Sequence, residues 1–197
     1  PLSMFNLTKD HVYSVFEVGA SYKGEIAALA NILKPGVAVI TNAGPSHLEN
    51  MGGSVAAVAE EKGALFQSLP QDGIAIVNLD DKHSDYWLST IDDRKFIGFS
   101  VTGKVCKSKN CIGVVTATNI EVYCKKTKFD ICFDDNTLSV EMNLIGNHNL
   151  ENALAAVAAA RAIGVNNEYI LAGLKSVKEA TGRLTTYGDN KKILIDD

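Results

Sequence analysis

Three residues that can do chemistry stand where the surrounding pattern expects apolar ones. Glu17 interrupts the apolar, β-branched run at residues 12–18. It falls near the carboxyl end of the strand that this run predicts, where ligands bind in open α/β sheets. A carboxylate there can hold a magnesium ion; it can equally be a strand-end acid paired with a lysine. His47 follows the next such run, in Thr41-Asn42-Ala43-Gly44-Pro45-Ser46-His47-Leu48-Glu49. This loop leaves the same edge, so the imidazole can face the site that Glu17 faces, or serve only the loop. Lys62 is the most informative of the three. A helix over residues 54–69 puts Val55, Val58, Ala59, Leu65, Phe66 and Leu69 on one stripe, and Lys62 falls within it, with Glu60, Glu61 and Gln67 elsewhere. A buried ammonium is costly unless it is paired or loses its charge. Lys62 is therefore either a functional lysine, depressed in pKa or chemically modified, or a side chain that snorkels from the edge of the stripe.

Two further stretches carry polar groups in a pattern. Gly146-Asn147-His148-Asn149-Leu150-Glu151-Asn152 opens an Ala-rich helix. Capping accounts for Asn149, but not for three asparagines and a histidine together, whose polar groups could read a purine edge. Gly182-Arg183 follows the next helix, and an arginine there can contact phosphate. Residues 19–24 follow a predicted strand and begin like a phosphate loop. Glu25-Ile26 stands where Lys-Ser/Thr is required, and the dinucleotide glycine fingerprint is absent too.

The elements that must position these residues alternate. Strands are predicted at residues 12–18, 37–41, 73–78 and 95–100, with helices at 23–33, 54–69 and 81–90 between them. Such alternation implies a mainly parallel sheet with helices on its faces. After Val101 the pattern changes. Segments 113–123, 128–133 and 138–144 read as antiparallel strands of a small side sheet. A helix capped by Asn149 and ended by Gly164, a second helix at 168–177 and a strand from Ile193 complete one domain.

Composition narrows the function. Across 197 residues, 46% are hydrophobic and 21% charged, the balance of a globular domain rather than a disordered chain. A net charge of −4 argues against a general nucleic-acid binder. No apolar run approaches a membrane span and no export signal opens the chain, so a cytoplasmic location is expected. Cys106, Cys111, Cys124 and Cys132 form no CxxC pair and have no histidine at zinc-finger spacing, so free thiols are expected.

Taken in order, the motifs resemble the central domain of the Mur ligases along essentially the whole chain. They are Glu17-Val18-Gly19-Ala20 with Gly24-Glu25-Ile26, Thr41-Asn42 with His47-Leu48-Glu49, Glu61-Lys62-Gly63 with Phe66, Gly146-x-His148-Asn149-x-x-Asn152-Ala153, and Gly182-Arg183. Each is short; their order and spacing are specific. Gly-Glu-Ile and His-Leu-Glu point to the D-alanyl-D-alanine-adding branch. The resemblance implies a P-loop-NTPase-like α/β fold that uses ATP and magnesium. It implies that Glu17 binds magnesium, that His47 helps hold a second one, and that carbamylated Lys62 joins that metal site. Asn149 and Asn152 would lie near adenine, Arg183 near the ATP phosphates and Asp197 on the ribose. The implied substrates are UDP-N-acetylmuramoyl-tripeptide and D-Ala-D-Ala, in the bacterial cytoplasm. The phosphate loop is expected upstream of Pro1 and the amino-acid-binding domain after Asp197, so residues 1–197 alone are expected to be inactive. A sibling ligase of the Mur or folylpolyglutamate type and a non-catalytic nucleotide-binding module remain the alternatives.

Overall fold

The computed structural model describes residues 2–178 and the backbone of two strands beyond them. Six strands form one sheet in the order β1 (Val37–Ile40), β2 (Ile74–Asn78), β3 (Lys95–Ser100), β4 (Cys111–Val122), β5 (Thr127–Phe133) and β6 (Asn136–Met142). The first four are parallel; β5 and β6 add on antiparallel. The expected antiparallel strands are thus present. They extend the edge of the parallel sheet through β4 instead of standing apart from it.

Among the described residues five α-helices accompany the sheet: α1 (Glu25–Leu33), α2 (Val55–Gln67), α3 (Ser84–Thr90), α4 (Asn147–Ala162) and α5 (Asn167–Ser176). Alternation along each strand supplies two cores. Ala75 and Val77 point to the face under α2 and α3, where Phe66 and Trp87 are fully buried. Ile76, with Phe99, Val115 and Ile131, points to the other face, under Leu154 and Val157 of α4 and Ile170 of α5. The Trp87 indole N–H donates to Ala59 O at 2.9 Å, so its one polar group is satisfied inside the core. Thr185–Asp189 and Lys192–Asp196 pair antiparallel as a separate ribbon. The strand expected from Ile193 lies in it; its partner strand was not expected.

Three local expectations change. Residues 12–18 form no strand, and Val12 and Val15 are 82% and 97% exposed. An apolar run becomes a buried strand only where neighbours pair with it, and among the described residues none does. Asn149 is not the cap of α4. Gly146 is, at φ 95°, and Asn149 lies in the first turn with its side-chain amide donating to Ile145 O at 2.8 Å. The helix starts earlier because glycine tolerates that backbone. Its far end is as expected: Gly164, at φ 75°, donates to Arg161 O, and Val165 donates to Ala160 O. These two bonds are a Schellman closure. Finally, α2 buries Glu61 to 5% exposure and leaves Lys62 half-buried, the reverse of the expected stripe.

Candidate functional site

The carboxyl ends of β1, β2 and β3 open into loops joined by polar side chains. After β1, Thr41 O accepts from the Asn78 amide at 2.7 Å. After β2, Asp81 accepts from the Ala43 N–H at 2.9 Å and the His83 N–H at 2.8 Å. Asp80, beside it, accepts from the Ser100 hydroxyl at 2.8 Å, the Val101 N–H at 2.7 Å, the Thr102 N–H at 3.2 Å and the Thr102 hydroxyl. Lys104 donates to Leu79 O at 2.8 Å. Three successive strand ends are thereby tied into one edge. The neighbouring glycines permit the packing beneath it: a Cβ at Gly98 would lie 2.6 Å from Leu79 Cδ1, and one at Gly63 would lie 3.0 Å from Tyr86 Cε1.

Lys62 reaches this edge from α2. Ser54 caps that helix, its hydroxyl accepting from the Ala57 N–H at 3.2 Å. The Lys62 ammonium donates to Asn42 O at 2.7 Å. Burial pushes its pKa down, and the Asp81 carboxylate partly restores it. Its neighbour Glu61 does separate work. The two carboxylate oxygens accept from Gly24 N–H at 2.7 Å and Ile26 N–H at 2.8 Å. This satisfies two donors at the amino end of α1 and places a negative charge against its dipole.

Two acids at the edge are electrostatically distinct. Burial alone would raise the pKa of Asp80, but the hydrogen bonds from Thr102, Ser100 and Val101 outweigh it and hold the carboxyl below its ordinary value. Glu151, on the first turns of α4, is pushed up by burial, then by the Asp80 charge, with His148 opposing and Asp81 adding to the rise. The amino end of α4 therefore comes to the same edge as the acids after β2.

The expected site residues are placed unevenly. Lys62 is at the edge. His47 is exposed, at φ 53° ahead of the short turn Leu48–Asn50, and its charge helps hold the Glu25 carboxyl low behind the Ser21 and Tyr22 N–H groups. Glu17 is exposed on an irregular segment. No hydrogen bond or ion pair among the described residues joins Glu17, His47 and Lys62 to one another. Asn149 is half-buried and Asn152 exposed on α4. Arg183 and Asp197 lie outside the described residues. Asp80, Asp81 and Glu151 were not foreseen. The signal for the first two was present: adjacent acids one residue beyond the end of the strand Ile74–Asn78, after Leu79, at the edge where ligands bind.

The comparisons with known proteins agree with this architecture. The chain is 37% identical over its whole length to the UDP-N-acetylmuramoyl-tripeptide–D-alanyl-D-alanine ligase of Escherichia coli, and spans 42% of that protein. It superposes on a crystal structure of MurF from Acinetobacter baumannii with a TM-score of 0.89 at 31% identity, covering 100% of this chain and 41% of the other. A MurF ligase from Thermotoga maritima, solved in complex with ADP, shares the fold at a TM-score of 0.73 and 24% identity, covering 91% of this chain and 39% of the other. The chain thus spans about two fifths of the length of the relatives it matches. The model of the Mur ligase middle domain matches residues 1–160, the whole six-stranded sheet and all but the last two residues of α4 included, and the chain belongs to that family.

Proposed function

We propose that this chain is the ATP-binding central domain of a longer ligase. That ligase joins D-Ala-D-Ala to UDP-N-acetylmuramoyl-tripeptide in peptidoglycan precursor synthesis, and so serves cell shape and division, in the bacterial cytoplasm. The observation that carries the reading is Lys62, an ammonium brought to the carboxyl edge of a parallel sheet where burial disfavours its charge. The similarity to D-Ala-D-Ala-adding ligases over the whole chain supports the substrate assignment.

In this reading Lys62 acts as a carbamate. Its neutral amine attacks carbon dioxide, a C–N bond forms, and one amine proton leaves to solvent. The remaining N–H can keep its bond to Asn42 O. The modification resolves a mismatch of charge. An ammonium has no lone pair for a metal, and no three His, Cys, Asp or Glu side chains converge on a metal position among the described residues. The carbamate supplies an anionic oxygen at the edge, and hard cations prefer oxygen while retaining several waters. Glu17 would hold one magnesium ion, and His47 with carbamylated Lys62 would hold a second. When bound, magnesium screens the charge of the transferring phosphoryl group. Asn149 and Asn152 would flank the adenine, with Arg183 near the phosphates and Asp197 at the ribose.

The reaction then needs two displacements. A carboxylate oxygen of the tripeptide takes the γ-phosphoryl group, giving an acyl phosphate and ADP. The amine of D-Ala-D-Ala attacks the acyl carbon, phosphate leaves with the C–O electron pair, and the nitrogen loses a proton. The acyl phosphate is the testable species. Incubating the full-length protein with ATP, magnesium, UDP-muramoyl-tripeptide and hydroxylamine should give the tripeptide hydroxamate by mass spectrometry. ATP consumption without any trapped hydroxamate would overturn the acyl-phosphate route.

A further inference from the structure

One peptide group at the carboxyl edge is held at both ends by charged side chains. It joins Asn42 to Ala43, in the loop after β1. Its carbonyl, Asn42 O, accepts from the Lys62 ammonium at 2.7 Å. Its N–H, on Ala43, donates to Asp81 Oδ2 at 2.9 Å. The peptide is trans, so its carbonyl and N–H point in opposite directions within one plane. A cation on the oxygen and an anion on the N–H fix that plane, and each bond polarises the group toward the other. Among the described residues Lys62 and Asp81 form no ion pair, so the peptide is the bonded link between them.

Ordinary turn chemistry accounts for only half of the Asp81 side chain. Oδ1 accepts from the His83 N–H at 2.8 Å, and Asp81 O accepts from the Ser84 N–H at 3.1 Å. That is an Asx turn leading into α3. Oδ2 takes no part in it and reaches 38 residues back along the chain to Ala43. The start of the loop is secured separately. Asn78, 3% exposed at the end of β2, donates to Thr41 O at 2.7 Å and accepts from the Asp80 N–H at 2.9 Å. Loss of the Asp81 contact would thus free the Asn42–Ala43 peptide to rotate while β1 keeps its register with β2.

We propose that Asp81 is a positioning residue for Lys62, acting through the Asn42–Ala43 peptide. This role rests on the carbamate reading of Lys62. A carbamate nitrogen is planar and keeps one N–H. With that N–H on Asn42 O, the peptide sets the plane of the two carbamate oxygens, and Asp81 sets the peptide. Free rotation of the peptide would leave the carbamate formed but its oxygens unaimed. A misplacement of about 1 Å in such a site can cost on the order of 100-fold in rate.

Asp81→Ser separates the two roles of the carboxylate, because serine can make the turn but is too short to reach Ala43. The full-length protein, its Asp81→Ser variant and its Lys62→Met variant would be compared by amide hydrogen exchange and by steady-state ADP release. Exchange at Ala43 should speed in Asp81→Ser. It should speed in Lys62→Met as well, although the Lys62 side chain bonds the carbonyl of the peptide and not its N–H. In Asp81→Ser, kcat per folded molecule should fall about 10-fold or more, with the KM for D-Ala-D-Ala unchanged. The carbamate signal in ¹³C-bicarbonate should persist in that variant. Unchanged exchange at Ala43 in Lys62→Met would overturn the link through the peptide, even if Asp81→Ser does not fold. A wild-type kcat in folded Asp81→Ser, or a kcat loss matched by loss of the carbamate, would overturn the positioning role. Absence of both ADP release and carbamate from the wild type would strike the ligase reading instead, and exchange at Ala43 would still decide the link.

Discussion

Two groups at the carboxyl edge, Lys62 and Asp80, respond to pH in ways that can be measured. The pKa of Lys62 is lowered by burial, against the pull of Asp81. Only the neutral amine adds carbon dioxide, so carbamate occupancy should rise with pH. In ¹³C-bicarbonate, the carbamate carbon signal should grow from neutral to alkaline pH and be missing from Lys62→Ala, whose ligation should fall by about 100-fold or more. A signal that persists in Lys62→Ala would assign the carbamate to another lysine. Asp80 has the opposite linkage. Its folded pKa lies below the unfolded one, because hydrogen bonds outweigh burial. Its stabilisation is therefore complete above the ordinary aspartate pKa, about 3.9, and fades as pH falls through the lower folded value. Asp80→Asn should cost ~1–3 kcal/mol in urea unfolding at neutral pH. That gap should narrow in acid; an unchanged gap would mean that the carboxylate charge contributes nothing.

Elements hold these residues in place, and here local pattern and tertiary context divide the work. Lys62 was singled out because the pattern put a cation in an apolar stripe, although the structure leaves it only half-buried. Glu61 was not, because positions three and four beyond Val58 both fall within a helical stripe and the pattern alone cannot choose between them. The choice is made by α1, whose amino end needs an acceptor and finds the Glu61 carboxylate. Glu61→Ala should therefore cost about 2 kcal/mol and speed exchange of the Ile26 amide. Equal exchange in both proteins would show that water replaces the carboxylate without loss. Gly164 was legible as a stop because its position after an Ala-rich run needs a left-handed residue, and it adopts φ 75°. Gly164→Ala should cost roughly 1–2 kcal/mol by thermal unfolding. The run at residues 12–18 shows the limit of such reading. Its β-branched composition suits a strand, but a strand exists only with a neighbour, and pairing is a property of distant residues. In the same way, alternation revealed the three strands after Val101, while the junction of β4 with β3 was visible only in three dimensions.

At the scale of the whole molecule, alternating strand and helix signals were enough for the fold class, and the order of short motifs was enough for the family. The site itself is shared between distant segments. Lys62, the loop after β1 and the acids after β2 meet at one edge, and α4 brings Glu151 to those acids, whereas Glu17 and His47 make no bond to Lys62. Among the described residues no helix is long and apolar enough to cross a membrane. Because the chain spans about two fifths of its relatives, the activity has to be measured on the full-length protein. The most direct measurement is ADP release with ATP, magnesium and UDP-muramoyl-tripeptide, offering D-Ala-D-Ala, L-alanine or glutamate in turn. The account predicts release with D-Ala-D-Ala alone; release with another acceptor, or with none of the three, would contradict it.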